Sequence, residues 1–266
     1  MHVLVTRAKE QSGELARLLS QAGATVSYFP VIEIADIDDK DWSDFDKKIE
    51  EDYDWLIFAS TNSVHKACGR LQSQSKLERL KKFKIAAIGP STESKLREMG
   101  LTVHFQPSTF VAEALIEEFP GAPHLAGLRI LWPKTDIGRR LIVDKLTAMG
   151  ARVDTTVVYR TVLPESSKTE AAATAQALLH GQIDCLTLAS AQSVRNFAQL
   201  LAGFTAETKI TLDEILAKTK IAAIGPITAQ TARQILGRVD IEAAEHTMQG
   251  LTDSLLASLK FPKEKG

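Results

Sequence analysis

The sequence predicts an α/β protein built from two similar halves, each with a parallel β-sheet. Short apolar runs alternate with helical patterns along the chain, which is typical of parallel strands joined by crossover helices. Most of these runs are continuously apolar, as in strands that are covered on both faces. A third observation is a repeat, because Ile85–Thr92 (IAAIGPST) returns as Ile221–Thr228 (IAAIGPIT). Each copy reads as a strand, a tight turn and the start of a helix.

The first strand and helix of the chain also have a second copy. Val3–Val5 forms the opening strand, and it leads through a helix with leucines at helical spacing to a strand at Val26–Phe29. The same plan returns 127 positions later, from Ile130–Trp132 to Val153. The other predicted strands share an apolar composition: Trp55–Phe58, Ile85–Ile88, Val103–Phe105, Val157–Tyr159, Cys185–Leu188, Ile221–Ile224 and Ile241–Ala243.

The order of the repeated units leaves two layouts open, either two sequential domains or one domain inserted into the other. The acidic stretch Asp36–Asp41 and the segment Leu163–Ser167 are typical of exposed connections. They lie where a chain would leave and re-enter a discontinuous first domain. We therefore favour a first domain of residues 1–34 plus 162–266 and an inserted second domain of residues 35–161.

Composition excludes several classes of function. The 266 residues are 44% hydrophobic with a formal net charge of -1, which is typical of a globular protein and argues against general nucleic-acid binding. No apolar run approaches the roughly 20 residues of a membrane span, and the N-terminus lacks the pattern of a signal peptide. Two cysteines, Cys68 and Cys185, are too few for a disulfide framework. We expect a cytoplasmic protein with neither membrane nor nucleic-acid partners, and a monomer by default.

The residues that follow the predicted strands are the candidates for a binding site, since ligands of parallel sheets bind beyond the carboxyl ends of the strands. They are Thr6 and Arg7, Ser60 to Ser63, Gly89 to Thr92, Lys134 to Asp136, Ser190 to Ser193, and Gly225 to Thr228. Serine and threonine at such turns are also ordinary helix N-caps. Six such turns together favour an anion-binding cleft, because helix N-termini offer free N–H groups. We expect the two halves to share that cleft.

Cations and one tyrosine add to this candidate site. Arg7 and Lys134 are equivalent in the 127-residue repeat, so each half places a cation at the same strand end. Tyr159 ends a strand near the second connection, where a tyrosine is commonly a packing residue with a hydrated hydroxyl. Its position also makes it a candidate for the cleft. Further cations near the expected cleft are Arg139, Arg140, Arg160 and Arg195.

Motifs for other chemistries are missing from the sequence. There is no G-x-G-x-x-G, no phosphate loop and no G-x-S-x-G nucleophile motif. The six histidines are scattered, and neither cysteine has a partner at metal-ligand spacing. His65 is more simply a solvent-exposed helix residue than a ligand. We therefore expect no cofactor and no metal, so that any chemistry comes from positioning, hydrogen bonding and shape.

Taken together, these residues resemble the uroporphyrinogen-III synthase family over nearly the whole chain. The resemblance is carried by Leu4–Arg7 (LVTR), Phe58–Val64 (FASTNSV), both Ala-Ile-Gly-Pro-x-Thr turns, and Val158–Thr161 (VYRT). It implies two HemD-like, flavodoxin-like α/β domains, the second inserted into the first. It also implies a two-stranded linker near residues 31–35 and 158–163.

The same resemblance implies a cofactor-independent lyase of porphyrin and heme biosynthesis. Its substrate would be the linear tetrapyrrole hydroxymethylbilane, supplied by hydroxymethylbilane synthase, and its product uroporphyrinogen III. Water is lost, and ring D is inverted through a spiro intermediate. Tyr159 is implied to help hydroxide depart. The family's substrate contacts fall on Ser60, Thr92, Ser190 and Thr228, to which the strand-end positions add Arg7, Thr61, Asn62, Lys134 and Ser193.

Two alternatives remain open at this point. One is a non-catalytic two-domain binding or regulatory module that takes a small anion, which would be stabilised by its ligand without forming a product. The other is a nucleotide-dependent transferase, which the missing phosphate loops disfavour.

Overall fold

The computed structural model describes residues 1–7, 12–138 and 140–258. Its strands are β1 (His2–Val5), β2 (Thr25–Tyr28), β3 (Glu33–Ala35), β4 (Trp55–Phe58), β5 (Lys84–Ala87), β6 (Arg129–Thr135), β7 (Arg152–Val162), β8 (Cys185–Leu188), β9 (Lys220–Ala223) and β10 (Ile241–Glu242). Its α-helices are α1 (Gly13–Gln21), α2 (Asp39–Lys48), α3 (Thr61–Ser73), α4 (Pro90–Glu98), α5 (Ala112–Glu118), α6 (Leu141–Ala148), α7 (Glu165–Leu179), α8 (Ala191–Thr208), α9 (Leu212–Leu216), α10 (Pro226–Leu236) and α11 (Met248–Ser258). A 3₁₀-helix spans Leu77–Lys82.

The chain forms two compact units. The first comprises residues 1–33 and 162–266, and the second comprises residues 34–161. In the first unit, the sheet order is β10-β9-β8-β1-β2, and all paired strands are parallel. Numbered along its own strands, this is the 2-1-3-4-5 order of flavodoxin-like sheets. The predicted parallel α/β fold is confirmed for this unit.

The sheet of the second unit has the same spatial arrangement of strands, but the chain passes through those strands in a different order. Its order is β3-β7-β6-β4-β5, with β7-β6, β6-β4 and β4-β5 parallel. Here β6 and β7 correspond to β1 and β2, while β4 and β5 correspond to β8 and β9. In each unit, therefore, the point where strand order reverses lies between a strand of the first repeat type and one of the second. Ligands of such sheets bind at this point.

Apolar side chains cover both faces of each sheet, as continuously apolar strands require. The central strands β4 and β8 are buried at every position. In the first unit, the pairing of β1 with β8 joins its distant chain segments, and side chains add to it: the Phe29 and Phe197 rings meet edge to face at 6.1 Å, and Asn196 Nδ2 donates to the Val31 carbonyl at 2.7 Å. Both Phe29 and Phe197 are at most 1% exposed. The discontinuous unit is therefore held together by a shared core.

Three strand predictions need correction. Val103–Phe105 is not a strand, since only Phe105 forms a single bridge with Ala86. The reason is local: the His104 ring accepts the Ile85 N–H, which a continuing ladder would have used. Lys134, expected just after a strand, lies inside β6, because regular pairing with β7 continues as far as Lys134 and Val157. The Val157–Tyr159 strand and Val153 belong to one longer strand, β7.

Both cysteines are free thiols buried in the cores. Burial raises the pKa of Cys68 and that of Cys185 to about 12. At pH 8 only about one thiol in ten thousand would be thiolate, so we expect almost no reaction of the folded protein with a disulfide reagent. Two equivalents should react after unfolding in guanidinium. Rapid titration of one thiol in the native protein would contradict this burial.

None of the helices in the described ranges combines the length and apolar character needed to cross a membrane.

Candidate active site

Ser60 lies two residues after the end of β4 and caps α3 in the second unit. Its backbone is extended (φ -157°, ψ 151°), and its hydroxyl accepts a hydrogen bond from the Ser63 N–H at 3.1 Å. In return, the Ser63 hydroxyl donates to the Ser60 carbonyl at 2.7 Å. Capping by serine satisfies one of the free N–H groups at a helix start. Ser60 also has a second hydrogen-bond partner, so it can both cap α3 and belong to the candidate site.

That further partner is Tyr159, which β7 carries to the same edge of the sheet. The Tyr159 phenol oxygen lies 3.1 Å from Ser60 Oγ, although 99 residues separate them. Tyr159 is only 7% exposed. Burial raises the pKa of its phenol, a shift that the Ser60 hydrogen bond opposes and Asp136 reinforces. The hydroxyl therefore stays protonated at neutral pH and can donate a hydrogen bond.

A cavity of about 280 Å³ lies beside this pair, wholly within the second unit. It occupies the point where strand order reverses, between β4 and β6. Its walls are mainly apolar and include Trp132, Ile88, Ala112 and Leu141. The polar side chains that line it are Ser60, Ser63, Lys134, Thr135 and Tyr159. A small apolar group with a polar edge fits such a pocket.

Among the described residues that line this cavity, Lys134 is the cationic side chain. Its ammonium donates to the carbonyls of Thr135 at 2.5 Å and Ile137 at 3.2 Å, and it lies 5.8 Å from the centre of the Trp132 ring. Burial lowers the pKa of Lys134, while Asp136 counteracts that shift. In the described part of the chain Lys134 forms no salt bridge, whereas Arg160 is paired with Asp38 and Asp41.

The first unit has a similar strand end with different chemistry. Ser190 caps α8, and its cap is reciprocal: the Ser193 hydroxyl accepts the Ser190 N–H at 3.1 Å and donates to the Ser190 carbonyl at 2.6 Å. Ser193 is 2% exposed, and both of these hydrogen bonds of its hydroxyl stabilise the start of the helix. The 127-residue offset places Ile32 at the position of Tyr159. This unit therefore has no phenol at the matching place.

Arg7 is the cation that the 127-residue repeat places in the first unit at the position of Lys134. Burial lowers the pKa of its guanidinium. Nη1 lies 3.8 Å from the Met248 sulfur, and within the described ranges Arg7 has no carboxylate partner. A partly buried guanidinium without a counter-ion is a ready partner for an anionic ligand.

The two Gly-Pro turns place threonine at the start of a helix in each unit. Gly89 adopts a left-handed conformation (φ +88°), and proline follows at the first position of α4 and of α10. Thr92 and Thr228 are 4% and 5% exposed. Among the described residues, neither threonine hydroxyl has a hydrogen-bond partner. By contrast, Thr61 is exposed and Asn62 is half-buried at the start of α3.

The remaining predicted cations are peripheral. Arg195 is exposed on α8, and Arg140 pairs with Asp144 at 3.5 Å. Arg139 lies outside the described residues. His65 is exposed on α3. Across the described ranges, no group of histidine, cysteine and acidic side chains is arranged to hold a metal ion.

A family model described as uroporphyrinogen-III synthase HemD matches residues 13–253 of the chain. The chain belongs to the uroporphyrinogen-III synthase HemD family. It is 34% identical to a uroporphyrinogen-III synthase of Synechococcus elongatus over 94% of this chain and 92% of the relative. The predicted family is therefore confirmed.

Solved structures agree on the fold. The chain is similar to uroporphyrinogen III synthase of Thermus thermophilus, in a triple-mutant form, with a TM-score of 0.70 and 20% identity over 97% of this chain and 99% of that one. It is also similar to the Helicobacter pylori enzyme, with a TM-score of 0.62 and 15% identity over 96% of this chain and 98% of that one.

Sequence reasoning missed the apolar walls of the cavity in this member of the HemD family. Ile88, Trp132 and Leu141 read simply as core residues, since strands and helices of any α/β protein carry them. Trp132 had one sequence signal of a place in the site, because it directly precedes Pro133 and the candidate cation Lys134. The approach of Tyr159 to Ser60 had no local signal.

Proposed function

We propose that the chain is a uroporphyrinogen-III synthase, which cyclises hydroxymethylbilane to uroporphyrinogen III with loss of water and inversion of ring D. This is a step of porphyrin and heme biosynthesis. Membership of the HemD family supports the assignment. The observation in the structure that carries it is the Tyr159 hydroxyl, held 3.1 Å from Ser60 at a cavity that also contains Lys134.

Tyr159 assists the departure of the hydroxyl group. As the C–O bond of the hydroxymethyl group breaks, negative charge develops on oxygen and the pyrrole nitrogen lone pair stabilises the carbon. The phenol donates a hydrogen bond to that oxygen and transfers its proton as the C–O bond breaks, so that the group leaves as water. The proton that the macrocycle loses on ring closure restores the phenol. Its raised pKa keeps the proton in place at neutral pH. The terminal ring at the other end of the substrate then attacks through a spiro intermediate, which inverts ring D.

Substrate carboxylates are bound by the strand-end residues of both units. The substrate carries eight carboxylates, and Arg7 and Lys134, which have no carboxylate partner among the described residues, are suited to two of them. The hydroxyls of Thr92 and Thr228, which have no partner within the described ranges, and the N–H groups at the helix starts add neutral donors. The full proposed set is Arg7, Ser60, Thr61, Asn62, Thr92, Lys134, Ser190, Ser193 and Thr228. Ser193 contributes by fixing Ser190 at the helix start, because its N–H and its hydroxyl are both hydrogen-bonded to Ser190.

The remaining assignments follow the expectations from sequence. We propose a cofactor-independent monomer that acts in the cytoplasm on a substrate supplied by hydroxymethylbilane synthase. We further propose domains of residues 1–34 plus 162–266 and 35–161, joined by linker strands near 31–35 and 158–163.

An isomer assay tests the activity. The protein is incubated with freshly generated hydroxymethylbilane, the products are oxidised to porphyrins, and the type I and type III isomers are separated by chromatography. We expect type III to dominate and its rate of formation to scale with protein concentration. Type I product alone, at the rate of the protein-free control, would overturn the proposal. Ligand-induced thermal stabilisation in that case would indicate a binding module instead.

A further inference from the structure

We propose that the cavity of the second unit is the binding site for a single pyrrole ring, namely the terminal ring that carries the hydroxymethyl group. This inference rests on the proposed function and specifies which part of the substrate the cavity takes. Three features carry it: the size of the cavity, the nature of its walls, and the polar groups of Tyr159 and Lys134 in its lining.

The size of the cavity matches one ring of the substrate. A pyrrole with one hydroxymethyl, one acetate and one propionate group has roughly 16 non-hydrogen atoms and occupies about 200 Å³ at protein packing density. The cavity measures about 280 Å³. The four-ring substrate is about four times larger than one ring. One ring can therefore enter, and the other three must remain outside.

The walls suit an aromatic ring. Trp132, Ile88, Ala112 and Leu141 provide apolar surface on several sides, from β6, the end of β5, α5 and α6. An electron-rich pyrrole buried among such groups gains hydrophobic stabilisation over its faces. Its polar substituents then need partners at the edge of the pocket, and the lining offers only a few.

Two of these polar groups match the substituents of that ring. The Tyr159 hydroxyl, 3.1 Å from Ser60 Oγ, donates to the hydroxymethyl oxygen. The Lys134 ammonium has three N–H bonds, of which the carbonyls of Thr135 and Ile137 take two. The third is free for an acetate or propionate carboxylate. The two carbonyls hold Lys134 in place, so binding a carboxylate does not require ordering a flexible side chain.

Monopyrroles test the site directly. The probes are two pyrroles that each carry one acetate and one propionate and differ in bearing an α-hydroxymethyl or an α-methyl group. A ligand-observed NMR titration should give dissociation constants of about 0.1–1 mM for ligands of this size. We expect the hydroxymethyl compound to bind roughly 3- to 10-fold more tightly. In the Tyr159→Phe variant the two compounds should bind equally.

Two variants locate the binding. Ala112→Phe places a large side chain in the cavity and should weaken monopyrrole binding at least 10-fold, whereas Ala172→Phe, at an exposed position of α7, should leave it unchanged. Lys134→Met removes the carboxylate partner and should weaken binding about 10-fold. Thermal unfolding of each variant shows whether it is folded, and a smaller Ala112→Leu change replaces Ala112→Phe if needed.

The outcomes separate this inference from the proposed function. Type III product from the wild-type protein, with monopyrrole binding undiminished in Ala112→Phe, would overturn the cavity site and leave the synthase activity standing. Equal affinity of the wild-type protein for both monopyrroles would overturn the assignment of the hydroxymethyl ring. Type I product alone would remove the synthase activity and, with it, the ring assignment.

Discussion

Replacing Tyr159 with phenylalanine is expected to lower kcat about 10- to 100-fold while the substrate still binds. The phenol is the protonated donor at the cavity, and its loss removes the hydrogen bond to the departing oxygen. Phenylalanine keeps the ring that packs in the core, so positioning by the rest of the site survives and a residual activity remains. The measurement is the initial rate of type III formation over a range of substrate concentrations, with spontaneous type I formation subtracted.

Tyr53→Phe is the matched control for this change. Tyr53 is also 7% exposed, lies in the same unit, and has a hydroxyl that donates to Asp154 at 3.2 Å, but it does not line the cavity. Each substitution removes one side-chain hydrogen bond, so their effects on unfolding free energy should be similar, about 1 kcal/mol. Only Tyr159→Phe should reduce kcat. Equal kcat values for wild type and both variants would remove Tyr159 from the mechanism.

Replacing Phe197 with alanine is expected to lower the free energy of unfolding by about 3–5 kcal/mol. Phe197 is fully buried on α8, and its ring meets that of Phe29 at 6.1 Å. The substitution removes apolar contact, leaves a cavity and breaks an aromatic pair. The loss falls on the contact between residues 1–33 and the returning segment from residue 162 onward. Chemical denaturation, followed by circular dichroism, measures the change.

The exposed Phe110 serves as the control for this core position. It is 55% exposed, so Phe110→Ala should change the unfolding free energy by less than about 0.5 kcal/mol. If Phe197→Ala does not yield folded protein, Phe197→Leu, which keeps much of the volume, should destabilise it by about 1.5 kcal/mol or less. Equal stability of the Phe197 and Phe110 variants would show that the Phe29–Phe197 contact does not join the two chain segments.

The sequence predicts what is local or repeated in this protein. Buried strands such as β4 and β8 follow from four consecutive apolar residues, and the two Gly-Pro turns follow from their duplication. Ser60 and Ser190 are predictable as site candidates because strand ends and helix caps have a local sequence pattern. In the structure both residues are helix N-caps.

What the sequence misses depends on contacts between distant residues. No local pattern brings Tyr159 to Ser60 across 99 residues. The extension of β6 through Lys134 depends on continued pairing with β7, and the absence of a strand at Phe105 depends on a hydrogen bond from the Ile85 N–H to the His104 ring. Each of these outcomes is set by tertiary pairing, which overrides strand propensity.

The order of strands along the chain has a consequence for the ancestry of this protein. Read from the N-terminus, the strands run through one full set of the 2-1-3-4-5 sheet (β1, β2, β4, β5 and the bridge at Phe105) and then through a second full set (β6 to β10). That is the order of a plain gene duplication. Yet β1 pairs with β8 of the later copy, so that β1 and β2 share a sheet with β8 to β10, and β4 pairs with β6, so that β4 and β5 share a sheet with β6 and β7. Each present-day unit is thus a hybrid of both ancestral copies, which exchanged halves as swapped dimers do.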